Sequence, residues 1–111
     1  MATASRPSVG PAHPELLARL EAWSIDPPGA PSPFARTLAH DQGWSAARTA
    51  RVIGEYRRFL YLAVTAGHPV CPPEAIDQAW HQHLLDTRAY WLEFCPDVLG
   101  QPLHQSPSQG R

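Results

Sequence analysis

The stretch AARTARVIGEYRRFLYLAVTA, residues 46–66, decides the fold. Val52, Ile53, Tyr56, Phe59, Leu60 and Ala63 recur at the steps of one helical face, with Arg51, Glu55 and Arg58 opposite. At 1.5 Å per residue this helix is about 30 Å long, the width of a small domain. Ser45 is its natural N-cap. Gly67-His68-Pro69 is a strong stop, with Gly67 suited to left-handed backbone. Gly54 inside the helix costs roughly 1 kcal/mol relative to Ala, which predicts close approach of another helix there.

Outward from this segment, proline and glycine punctuate the chain into four further helical stretches and no strand. On the N-terminal side, Pro14 opens a helix over 14–23, with Leu16, Leu17, Leu20 and Trp23 at helical spacing and Asp26-Pro27-Pro28-Gly29 as its break. Ser32-Pro33 starts a second helix as N-cap and first residue, over 33–42, burying Phe34 and Leu38 and closing at Gly43. On the other side, Cys71-Pro72-Pro73-Glu74 leads into a helix over 73–86. Thr87 caps a fifth over 88–95, which Pro96 ends, and 97–100 form a turn or short helical extension. The expected fold is all-α, an orthogonal bundle of four to five helices. Residues 13–104 form a single helical domain, between a disordered N-terminal tail at 1–12 and a mobile C-terminal tail at 105–111.

Composition narrows the function classes. A chain of 111 residues suits one domain, and a 43% hydrophobic, 17% charged make-up argues against wholesale disorder. A net charge of -1 supplies no field for nucleic acid or an anionic membrane, so neither is an expected partner. Phe59 to Val64, the longest apolar run, is too short to span a bilayer, and no secretory pattern opens the chain. Two cysteines, Cys71 and Cys95, are too few for a disulfide framework. The expected setting is cytoplasmic, with both thiols free.

Chemistry concentrates between Ile76 and His104, where Asp77, Trp80, His81, His83, Tyr90, Trp91, Cys95 and His104 fall. On a helical wheel Ile76, Trp80, His83 and Leu84 share one arc and Asp77, His81 and Leu85 adjoin it, so both histidines are expected to face protein. His81 and His83 point about 200° apart on a helix and cannot chelate one ion together. Asp77 and His81, four residues apart, are neighbours, and a carboxylate there fixes the tautomer of the imidazole and raises its basicity. Two readings follow: a polar site, or an aromatic core with satisfied histidines.

The site reading takes Asp77, His81, Cys95 and His104 as a tetrahedral shell for zinc or another divalent transition metal. Asp77, Trp80, His83, Tyr90 and Trp91 then make a small-ligand pocket, with Asp77 or His83 as base if an ion-bound water is the nucleophile. The core reading takes Tyr90, Trp91 and Phe94 as packing on Trp80, Cys95 as a small hydrophobe, and the Tyr90/Trp91 region as the contact for a protein partner. No Gly-rich phosphate loop and no nucleophilic triad pattern appears. His13, His40 and His68 read as exposed, Arg48, Arg51, Arg57 and Arg58 as a solvated face, and Cys71 takes no role.

The segments FARTLAHDQGWS (34–45), EYRRFL (55–60), IDQAWHQH (76–83), TRAYWLEFC (87–95) and LGQPLH (99–104) resemble the glycine-rich domain-containing protein-like family. The resemblance covers about residues 33–107, and its most specific part is Asp77-x-x-Trp80-His81-x-His83 with the later Tyr, Cys and Gly-x-x-Leu-His. It implies a short, stand-alone helical module, since no glycine-rich stretch is present, and makes Asp77, Trp80, His81, His83, Cys95 and His104 motif residues. Members often carry a second histidine where this chain has Gln105, which leaves His104 as the C-terminal imidazole.

Overall fold

The computed structural model describes residues 13–26 and 34–105, and among them forms five helices and no strand. These are α1 (Pro14–Ala22), α2 (Phe34–Gln42), α3 (Ala46–Thr65), α4 (Glu74–Leu85) and a fifth helix, Arg88–Leu99. The all-α reading holds. The tail expected at 1–12, the Ser32-Pro33 helix start and all of the C-terminal tail except Gln105 lie outside the described residues.

Long α3 is the central element, in contact with α1, α2 and α4, while the fifth helix lies on α1 and α4. Its predicted face is the core: Val52, Ile53, Tyr56, Phe59 and Leu60 are all buried, joined by Leu16 and Leu20 of α1, Leu38 of α2, and Trp80, Tyr90 and Phe94. Each such side chain contributes about 1.5–3 kcal/mol by leaving water. Polar contacts tie the α1 segment to the fifth helix and to α3. Arg19 Nε donates to the Val98 carbonyl at 2.8 Å, and Arg57 Nη1 donates to the Trp23 carbonyl at 2.9 Å. Arg57 is therefore a half-buried clamp with its guanidinium 5.3 Å from the Trp23 ring, not a member of a solvated face.

Local chemistry sets most helix ends. Ser45 Oγ accepts from the Arg48 N–H at 3.0 Å, and Gly67 turns left-handed after α3, both as read from the sequence. At the start of α2, the Asp26 carboxylate accepts the N–H groups of Phe34 and Ala35, placing a negative charge at the positive end of that helix. Thr87 makes no side-chain cap; Asp86 Oδ1 accepts from the Ala89 N–H at 3.2 Å in its place.

The fifth helix departs from expectation. Pro96 does not end it at Cys95, because residues 88–99 wind as a π-helix, with i→i+5 hydrogen bonds. In an α-helix the Pro96 ring would strike the carbonyl four residues back. The wider turn relaxes that approach, and the helix runs on to Gly100, whose φ of 79° closes it with its N–H donating to the Cys95 carbonyl at 2.7 Å.

Gly54 also departs. Among the described residues a Cβ built there meets nothing within 4 Å, so none of the five helices presses on it. It faces a cleft of about 560 Å³ between α2 and α3. Its backbone is ordinary helix, so Gly54→Ala should raise stability by about 1 kcal/mol, read as a higher urea midpoint at unchanged slope. A lower midpoint would show that the cleft wall cannot accept a methyl group.

Candidate functional site: a histidine in an aromatic box

His83 and His81 part company on α4. Buried Ile76, Ala79, Trp80 and His83 share one face, and His83 is only 4% exposed. His81 is exposed, correcting the expectation that both imidazoles face inward. It sits roughly 140° around the helix from Ile76, beside Leu85, which is also exposed. The inward arc is narrower than the wheel suggested.

Around His83 five rings close a box. Trp23 stacks on the imidazole at 5.4 Å, Phe94 and Tyr90 lie at 4.8 and 4.9 Å, and Tyr56 and Phe34 at 5.8 and 6.0 Å. Within it, the Tyr56 hydroxyl and His83 Nδ1 share a hydrogen bond of 2.8 Å whose direction follows the tautomer. Burial lowers the His83 pKa to about 4, only partly opposed by the Asp86 charge, so the ring is neutral at pH 7. Burial likewise pushes the Tyr56 hydroxyl well above its usual range.

Beside the box runs a second polar chain. Trp80 Nε1 donates to the Tyr90 hydroxyl at 3.0 Å, and that hydroxyl donates to the Leu103 carbonyl at 2.7 Å. Buried Cys95 lies against the same group. Burial raises its thiol pKa, with the Leu103 backbone and Tyr90 acting the other way, so it stays a thiol. The segment after Gly100 is strapped down at three points: Leu103 on Tyr90, the His104 ring tilted 40° against Trp91 at 4.7 Å, and Gln105 Nε2 donating to Asp77 Oδ1 at 2.6 Å.

This geometry separates the predicted metal set. Among the described residues no three His, Cys, Asp or Glu side chains are placed to hold one ion. His81 points to solvent, Cys95 is buried by Tyr90, and exposed His104 is against Trp91. Asp77 meets Gln105, and among the described residues no hydrogen bond joins it to His81. The predicted ligand set of Asp77, Trp80, His83, Tyr90 and Trp91 splits too. Trp80, Tyr90 and His83 are brought together in the core, Trp91 is at its edge, and Asp77 serves the strap. His13, His40 and His68 are exposed, as read.

Phe94 was read as packing with Tyr90 and Trp80, whereas Tyr56, Trp23, Phe34 and Gln105 were not read as members. For Tyr56 a signal existed: a tyrosine on a buried stripe needs a partner for its hydroxyl. Trp23 and Gln105 reach the cluster only through the tertiary fold.

The fold and cluster define a small all-α protein with a histidine-centred aromatic core. A family model matches residues 30–110, well over half of the chain, and the chain belongs to the UCP032817-like family. This corrects the resemblance to the glycine-rich domain-containing protein-like family, which the match does not indicate. Searches among curated proteins and among solved structures each found no match.

Proposed function

We propose that the chain is a protein-interaction module whose His/Tyr/Trp cluster holds the fold, and that it docks a protein partner through the outer face of α4 and the fifth helix. The observation that carries this reading is the pair Leu85 and Leu92, each 63% exposed on those two helices. Half-buried Trp91, covered on one side by His104, adds aromatic area on the same helix as Leu92. Large aliphatic and aromatic groups left in water on one hairpin are what an interface core uses. The cluster itself supports a structural role, since its ring nitrogen and hydroxyls bond to one another and the imidazole is walled off. No described helix is long and apolar enough to cross a membrane, and both cysteines are free, which fits a cytoplasmic setting.

A photo-crosslinking side chain placed at Leu92 or Leu85 in the native cells tests this. Discrete adducts should form from both positions and not from Leu62, an exposed leucine on α3. Equal labelling from all three positions, or none from Leu85 and Leu92, would refute the docking face.

A further inference from the structure

None of the five rings of the histidine box lines the cleft between α2 and α3, and neither do Leu85 and Leu92. Its volume of about 560 Å³ falls in the range of small-molecule sites. Ala35 and Ala39 of α2 and Ala46, Ala50 and Gly54 of α3 form its walls, and Arg36 and Arg57 line it as well. No carboxylate does. Three observations point beyond a chance gap.

Gly54 is the first. It lies inside a 20-residue helix, at ordinary helical backbone, with nothing among the described residues within 4 Å of an added Cβ. Neither a turn nor a tight helix crossing requires glycine, so its effect is to deepen the cleft. The second is charge. Ten Asp and Glu side chains occur in the sequence and all lie among the described residues, yet none of them pairs with Arg36. The third is Arg57. Its Nη1 donates to the Leu20 and Trp23 carbonyls and its Cζ lies 5.3 Å over the Trp23 ring, so the guanidinium is fixed in place with other N–H donors left over. One adaptable and one fixed guanidinium beside an apolar trough suit a carboxylate on a hydrocarbon body.

We propose that this cleft binds a small amphiphilic carboxylate, its hydrocarbon along Ala39, Ala50 and Gly54 and its carboxylate paired with Arg36 and Arg57. Titration calorimetry of the whole chain with octanoate, and with 1-octanol as the uncharged counterpart, tests it. Octanoate should bind saturably at one site, and octanol at least ~10-fold more weakly. Arg36→Gln should weaken octanoate by ~10-fold and leave octanol unchanged. Gly54→Leu, which fills the trough from an unstrained position, should abolish binding of both while the urea midpoint does not fall. Absence of saturable octanoate binding overturns the proposal. So does equal binding of octanol, or octanoate binding that survives Gly54→Leu.

Discussion

Taking the protein from pH 7 to pH 4 should remove roughly 3 kcal/mol of stability through His83 alone. The folded pKa is about 4, against 6.5 for a free imidazole. Between those values the unfolded chain binds a proton that the folded chain refuses, so stability rises with pH across this window. The contribution is complete above about pH 6.5 and drains away as pH falls toward 4. A loss of this size matters against the 5–15 kcal/mol typical of a whole domain. Carboxylates titrate in the same range, so the wild type must be compared with His83→Phe. That variant orphans the Tyr56 hydroxyl, at a cost of about 1–3 kcal/mol that does not vary with pH in this range. Denaturant midpoints measured from pH 7 to pH 4 should therefore fall more steeply for the wild type than for the variant. Parallel curves would mean that His83 admits a proton without disturbing the box.

Tyr90→Phe should cost about 2–4 kcal/mol although it removes one oxygen atom. The Tyr90 hydroxyl both accepts from Trp80 and donates to Leu103, so its loss leaves an indole N–H and a carbonyl without partners. Trp80 is buried, and water does not readily replace the missing acceptor; half-buried Leu103 is easier to rehydrate. Two measurements separate these parts. The denaturation midpoint reports the whole loss, and amide exchange at residues 101–105 reports whether the strap comes loose. A loss below about 0.5 kcal/mol with unchanged exchange would show that the hydroxyl does not hold the strap.

How far the residues announce this arrangement depends on the range of the interaction. The α3 face, the Ser45 cap and the Gly67 stop are local, set by periodicity and by one or two side chains, and they were legible. Pro96 misled because the proline rule assumes α geometry, whereas a wider turn carries the ring. His81 misled because helical neighbours four apart can touch, but Asp77 found Gln105 across the fold. The partner of His83 is Tyr56, 27 positions away, and the ring stacked on it is Trp23 of a different helix end. Such pairings arise when α1, α3 and α4 close together, and spacing along the chain does not encode them.

The bond between Arg19 and Val98 joins residues 79 positions apart, and α1 and the fifth helix meet around it. For a chain made from its N-terminus, this contact cannot close until the fifth helix has been made. At about 5–20 residues per second, α1 exists for roughly 4–16 s before Val98 has been added. During that interval α2, α3 and α4 can associate, but Leu16 and Leu20 have α3 on one side and no fifth helix on the other. A chain that stops after α4 therefore leaves one side of α1 open to water, and the fifth helix supplies the surface that closes it.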